Sequence, residues 1–234
     1  YRDTNSWYHI VWQVDAANST SKIWVNGVEQ SIASGSQPVS GYNYTMNQSG
    51  KPMTIGVDAW DLYTFSDTYI AETHYSDGQL YAASDFGYTD AQTGQWRPKN
   101  GNEIKSNITY GTNGFWLDFR DATSTTTLGY DYSGNGNHWT LVNMSAANNY
   151  NVSFTSDTPT NNFCTLNPLD TYGDGVSEEL RFGNLQAKNT SSSYRTTRST
   201  VHVKTGKWYY EATVIAAGSN FLVGVAGPDY VAGS

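Results

Sequence analysis

Residues 7–15, WYHIVWQVD, followed by residues 22–30, KIWVNGVEQ, decide how this chain folds. Successive side chains of a strand point to opposite faces. Trp7, His9 and Val11 therefore share one face, and Tyr8, Ile10 and Trp12 share the other. Both faces are apolar or aromatic, which places the strand between two layers rather than at a solvated edge. In the second run, Asn26-Gly27 stands between apolar residues. Asn and Gly both accept the positive φ that a two-residue hairpin turn demands, so the run reads as a tight antiparallel hairpin.

The same kind of segment recurs along the chain: PMTIGVD (52–58), TYIAETHYS (68–76), NGFWLDFRD (113–121), NHWTLVN (137–143), LRFGNL (180–185), STVHVKT (199–205), KWYYEATVIA (207–216) and NFLVGVAG (220–227). Short apolar runs separated by Gly, Asn, Asp and Ser predict an all-β sandwich. No segment sustains a 3.6-residue apolar period. One short helical turn is expected at residues 82–87, AASDFG, with Ser84 as its cap. Residues 88–107 read as a connection. The Asn-, Ser-, Thr- and Pro-rich stretch 145–170 reads as a linker between a first module, 1–144, and a second, 171–234.

Composition supports strands and turns: aromatics make up 15% of 234 residues, with 18 Tyr, 8 Trp and 22 Gly. A net charge of −8 opposes binding to bare nucleic acid or anionic membranes. No apolar run approaches the ~18 residues needed to insert in a membrane as a helix. The single cysteine, Cys164, excludes an internal disulfide framework and reads as a small buried filler. That suits folding in a reducing cytoplasm, including for a protein later released as part of a particle. The chain starts at Tyr1, close to a strand, and ends soon after an apolar run, as expected of a portion of a longer polypeptide.

Catalytic patterns are missing from the sequence. A retaining glycosidase needs two carboxyl groups about 5–5.5 Å apart in one cleft. Here Glu72 and Asp77 are five positions apart, adjacent Glu178 and Glu179 would face opposite ways, and Glu211 stands alone. The histidines, His9, His74, His138 and His202, fall in four separate runs without metal-ligand spacing, and packing roles are expected for them. Neither a Gly-X-Ser-X-Gly elbow nor a phosphate loop occurs. The expectation is a non-enzyme.

Two stretches offer binding chemistry. VDAWDLYTFSD (57–67) interleaves aromatics with carboxylates, the combination that stacks on a sugar ring and bonds its hydroxyls. Its candidate ligand-binding residues are Asp58, Trp60, Asp61 and Tyr63; alternatively the aromatics plug the end of a sandwich or meet a neighbouring subunit. A second polar-aromatic cluster, SGYNYTMNQSG (40–50), is equally compatible with a solvated hairpin. DYSGNGNHW (131–139) places Asp131, Ser133 and Asn135 at calcium-loop positions one, three and five, with Gly136 at six. Position twelve, normally a bidentate Glu, is Val142, so an EF-hand is rejected. Calcium on a looser site remains the only cofactor candidate. The competing reading is a turn in which Asp131 and Asn135 bond the chain's own backbone. Asp170-Thr-Tyr-Gly-Asp174-Gly175 repeats the loop still more loosely, with Arg181 at position twelve.

Several segments together resemble the laminin-G/concanavalin A-like sandwich superfamily: SWYHIVWQVD with KIWVNGVEQ, then MTIGVD and YIAETHYSDGQLYAASDFG, then GTNGFWLDFRD with LGYDYSGNGNHW. Farther on, SDTPTNNFCTLNPLD and TGKWYYEATV with FLVGVAG resemble the opening strands of a SPRY-type sandwich. Their order is similar to that in virion appendage proteins of marine tailed bacteriophages. The resemblance implies an antiparallel jelly-roll β-sandwich lacking its N-terminal part, followed by a second, truncated one. It further implies a tail-fibre or capsid-fibre segment at the virion surface. The implied partners are other virion protein subunits and host-surface polysaccharide, in a homo-oligomer, commonly a trimer. The alternatives are a decoration module that only holds subunits together and, third, a polysaccharide-degrading enzyme.

Overall fold

A computed structural model of the chain describes residues 6–33, 38–41, 50, 52–58, 64–66, 68–142, 144, 157–161, 163–172, 178–189, 195–216 and 222–227. The chain is β-rich with few helices, and it divides into two compact units, Tyr1–Asn162 and Phe163–Ser234.

In the first unit, β1 (Ile10–Asp15), β2 (Thr20–Val25) and β3 (Val28–Gln30) form a three-stranded antiparallel sheet. Asn26 and Gly27 turn β2 into β3 with φ of 49° and 78°, as the sequence predicts. Asn26 then locks the chain entering β1: its backbone N–H donates to the His9 carbonyl, and its Oδ1 accepts from the His9 N–H, both at 2.8 Å. Val11 pairs with Trp24, and together they face the core. On the opposite face Ile10 and Trp12 are more than half exposed, while Val25, which pairs with Ile10, is buried. Two covered faces were expected for this strand; among the described residues one is covered and the other only in part.

Farther along come β4 (Thr73–Tyr75), α1 (Ala83–Phe86), β5 (Gly87–Thr89), β6 (Trp96–Pro98), α2 (Gly101–Asn107), β7 (Phe115–Leu117) and α3 (Thr125–Leu128). β4 pairs with β7, and β5 with β6, both antiparallel. The helical turn falls where expected, but Ser84 does not cap it; Asp85 reaches back to accept from the Ala82 N–H at 2.7 Å. The expected connection at 88–107 is instead a hairpin and a helix. Asp90 organises the hairpin turn by accepting from the N–H groups of Gln92 and Thr93, and Asn100 caps α2 through the N–H of Asn102. These local polar bonds replace the apolar periodicity that would have announced either element.

Two apolar clusters form the core of this unit. Ile104, Ile108, Tyr110 and Trp116 make one, and Val11, Trp24 and Ala83 the other; Phe86 packs against both. All three residues of β7 are buried, so this short strand is central.

The second unit contains β8 (Leu166–Tyr172), β9 (Glu178–Arg181), β10 (Gln186–Asn189) and β11 (Thr196–Ser199), paired as β8–β11 and β9–β10. The final part of the expected linker 145–170 is thus strand. Asp170, first residue of the second calcium-like loop, lies in β8. There it takes a fork of two bonds from Arg198, at 2.7 and 2.8 Å, which holds its carboxyl below the usual range. Cys164 is exposed rather than buried, and its neighbour Thr165 is the residue that turns inward. Residues 207–216 and 222–227 carry no strand ladder, and Trp208, Tyr209 and Leu222 stand exposed.

Trp96 gives this packing a direct test. A Cβ on Gly27 would lie 2.3 Å from the Trp96 ring, whereas one on Gly56, whose φ of 80° is nearly the same, would meet nothing within 4 Å. Gly27→Ala is expected to cost about 1–3 kcal/mol more than Gly56→Ala in urea unfolding, since only the first adds overpacking to the shared backbone strain. Equal losses would contradict the wedge.

Candidate functional site

The calcium-like loop folds inward. Asp131 is 6% exposed, and its carboxylate accepts four hydrogen bonds from the protein itself. Oδ1 accepts from the N–H of Trp116 and of Ser133, both at 2.8 Å. Oδ2 accepts from the Ser133 hydroxyl and the Asn137 N–H, both at 2.9 Å. A carboxylate offers about four acceptor positions, and all four are used. Asn135 and Asn137 present their amide N–H₂ groups to the 111–114 segment. Asn135 donates to the carbonyls of Gly111 and Gly114, and Asn137 to those of Thr112 and Gly114, at 2.7–3.0 Å. Among the described residues, no group of three or more His, Cys, Asp or Glu could hold a metal ion. In this geometry Asp131, Ser133 and Asn135 bond the chain's own backbone, the arrangement of the turn reading.

Burial would raise the pKa of Asp131. The hydrogen bonds from Trp116, Ser133 and Asn137 outweigh it and hold the carboxyl below its ordinary value. A depressed carboxyl contributes stability that is fully present above roughly pH 4 and is lost as the pH falls through the lower folded value.

Behind the turn lies a partly buried polar chain. Trp116 Nε1 donates to Glu72 Oε1 at 2.6 Å, His74 Nε2 lies 3.0 Å from the same oxygen, and His74 Nδ1 lies 2.8 Å from the Tyr110 hydroxyl. The His74 ring stacks on Trp116, with centroids 5.6 Å apart and planes 11° apart. Burial, then the charges of Glu72 and Asp131, push the Tyr110 hydroxyl far above its usual range, so it stays protonated. Every group has a partner if Tyr110 donates to Nδ1 and Nε2–H donates to Glu72. These residues could relay a proton, but Tyr110 and Trp116 are buried. Asp77, the other acidic residue of this stretch, is occupied elsewhere, holding the Asn113 side chain at 2.7 Å.

The surface candidate is an arm made of the paired segments 56–58 and 64–66. Val57 bridges to Phe65, the Asp58 N–H donates to the Thr64 carbonyl at 3.0 Å, and the Ser66 N–H donates to that of Gly56 at 2.8 Å. The arm borders an open depression of about 360 Å³, lined by Asp58, Thr64, Phe65, Ser66 and Ile70 among others. Phe65 is 64% exposed. Of the residues expected to bind ligand here, Asp58 lines the depression; Trp60, Asp61 and Tyr63 lie outside the described residues. Sequence reasoning passed over Phe65, Ser66 and Ile70 as site residues, although Phe65, like Asp58, belongs to the same quoted aromatic-acidic run.

No family model, curated protein or solved structure matches this chain.

The Asp131 turn distinguishes itself from a metal loop by two measurements on one protein. Asp131→Ala, which strands several N–H donors, is expected to lower unfolding stability by about 3 kcal/mol. Millimolar calcium or EDTA is expected to leave the unfolding midpoint unchanged. A calcium-dependent gain approaching the ~2.7 kcal/mol of a ligand at a hundredfold excess over Kd would return the loop to metal binding.

Proposed function

We propose that the chain is a non-enzymatic segment of a bacteriophage virion appendage, a tail or capsid fibre, that attaches the particle to host-surface glycan. In this reading the first unit is a lectin-like, concanavalin A-type jelly-roll sandwich, and the second begins a further β-sandwich. The observation that carries the reading is the arm of segments 56–58 and 64–66, which sets an exposed Phe65 beside Asp58, Thr64 and Ser66 around an open depression. An aromatic face covers the apolar side of a pyranose, while a carboxylate and hydroxyls bond its rim. The β-rich fold and the motif resemblance support the same class. With a net charge of −8, the natural ligand is a neutral polysaccharide or one bridged by cations.

A purely structural role in holding virion subunits together is favoured by a different observation. Ile10, Trp12 and Val28 stand exposed on the face of the β1–β3 sheet whose centre, Val25, is buried. On that reading the sheet face, not the arm, is the working surface.

A glycan array of bacterial surface polysaccharides, probed with the protein as monomer and as trimer, separates the two. Retention is expected, and Phe65→Ala is expected to weaken it about tenfold, the worth of one aromatic contact. No retention of any polysaccharide in either form would remove the attachment reading and leave the structural one.

A further inference from the structure

His9 has a side-chain hydrogen-bond partner that can only donate. The Trp96 indole Nε1 lies 3.1 Å from His9 Nδ1. An indole N–H donates and cannot accept, so Nδ1 must carry a lone pair, and the neutral ring keeps its proton on Nε2. An imidazolium would aim a second N–H at the indole N–H, and the bond would be lost.

What hangs on that bond is larger than one contact. His9 is tied through its backbone to Asn26 of the β2–β3 turn, by two hydrogen bonds of 2.8 Å. Trp96, from β6, lies so close over Gly27 of that turn and Gly87 of β5 that a Cβ on either would fall 2.3–2.5 Å from its ring. The ring also packs against the Val11, Trp24 and Ala83 cluster. Trp96 is thus the piece that joins the β5–β6 hairpin to the β1–β3 sheet, and His9 holds it by its indole nitrogen.

We propose that His9 is a proton-operated latch, whose protonation releases Trp96 and with it the β5–β6 hairpin from the β1–β3 sheet. The charged and titratable groups near enough to act on His9 are His74 and Glu72, in and beside β4; Asn26 and Trp96, which touch it, are neutral. Burial, then His74, disfavour the imidazolium, and Glu72 favours it; the sum lowers the His9 pKa below the ordinary histidine value. A histidine depressed in this way contributes stability that is fully present above its unfolded value of about 6.5 and is lost as the pH falls through the folded one. The latch therefore holds at neutral pH and opens in mild acid. It stands independently of the glycan-attachment reading.

The test is exchange of the Trp96 indole N–H in the full chain, followed by NMR between pH 8 and 4.5 and corrected for intrinsic exchange. Protection is expected to fall about tenfold per unit of pKa separation once the ring titrates. His9→Asn places a non-titrating Oδ1 acceptor near the Nδ1 position and is expected to flatten that dependence. Imidazole ¹⁵N shifts of the unaltered protein give a second readout that needs no variant, with Nδ1 expected unprotonated at pH 7.5. Acid-dependent opening that persists in His9→Asn, or a protonated Nδ1 at pH 7.5, would overturn the latch.

Discussion

The Asp131 carboxylate accepts from Trp116, from Ser133 twice and from Asn137, and the central strand of the first unit depends on that arrangement. β7 is only three residues long and, among the described residues, is paired on one side, with β4. A buried strand with an open edge leaves polar backbone groups without partners. At Trp116 that edge is closed by the turn: its N–H donates to Asp131 Oδ1, and its carbonyl accepts from the Tyr132 N–H at 2.7 Å. The turn substitutes for a neighbouring strand. The Trp116 ring, held from the other side by Glu72, carries the His74 stack and the larger apolar cluster.

That dependence explains the composition of the segment. Gly134 and Gly136 take φ of 105° and 76°, a region unfavourable for other residues, and their turns bring Asn135 and Asn137 to bear on the 111–114 carbonyls. Ser133 bonds Asp131 by both its N–H and its hydroxyl. A calcium loop uses the same small oxygen-bearing residues to turn oxygens toward an ion. Here the ion's place is taken by backbone N–H groups, and the asparagines turn their nitrogens, rather than their oxygens, to the rest of the chain.

Local features of the fold were legible in the sequence, and distant ones were not. Asn26-Gly27 specifies its hairpin within a few residues, and the β2–β3 register follows from it. The β4–β7 pairing joins residues some forty positions apart, and no sequence pattern names that partner. The 88–107 stretch was misread because Asp90 and Asn100 shape it through side-chain bonds to backbone, which leave no hydrophobic period. In KWYYEATVIA the period-2 pattern is present, yet residues 207–216 form no ladder, since a pattern describes a face and not the neighbour that would cover it. The site was half legible. Asp131, Ser133 and Asn135 do lie together, but whether their oxygens face an ion or an N–H depends on the 111–116 backbone, which sequence spacing does not show. Asp58 was chosen as a ligand residue from the same run that contains Phe65, whose exposure is a property of the folded arm.

The central claim is that the turn and β7 form one cooperative unit through Asp131, and native-state hydrogen exchange reads it most directly. The amides of Trp116, Ser133 and Asn137 should exchange only through global unfolding, with equal protection free energies that match the unfolding free energy of the first unit. If the Ser133 and Asn137 amides exchange through small local openings while Trp116 remains protected, the turn is only an ornament on β7, and the account is contradicted.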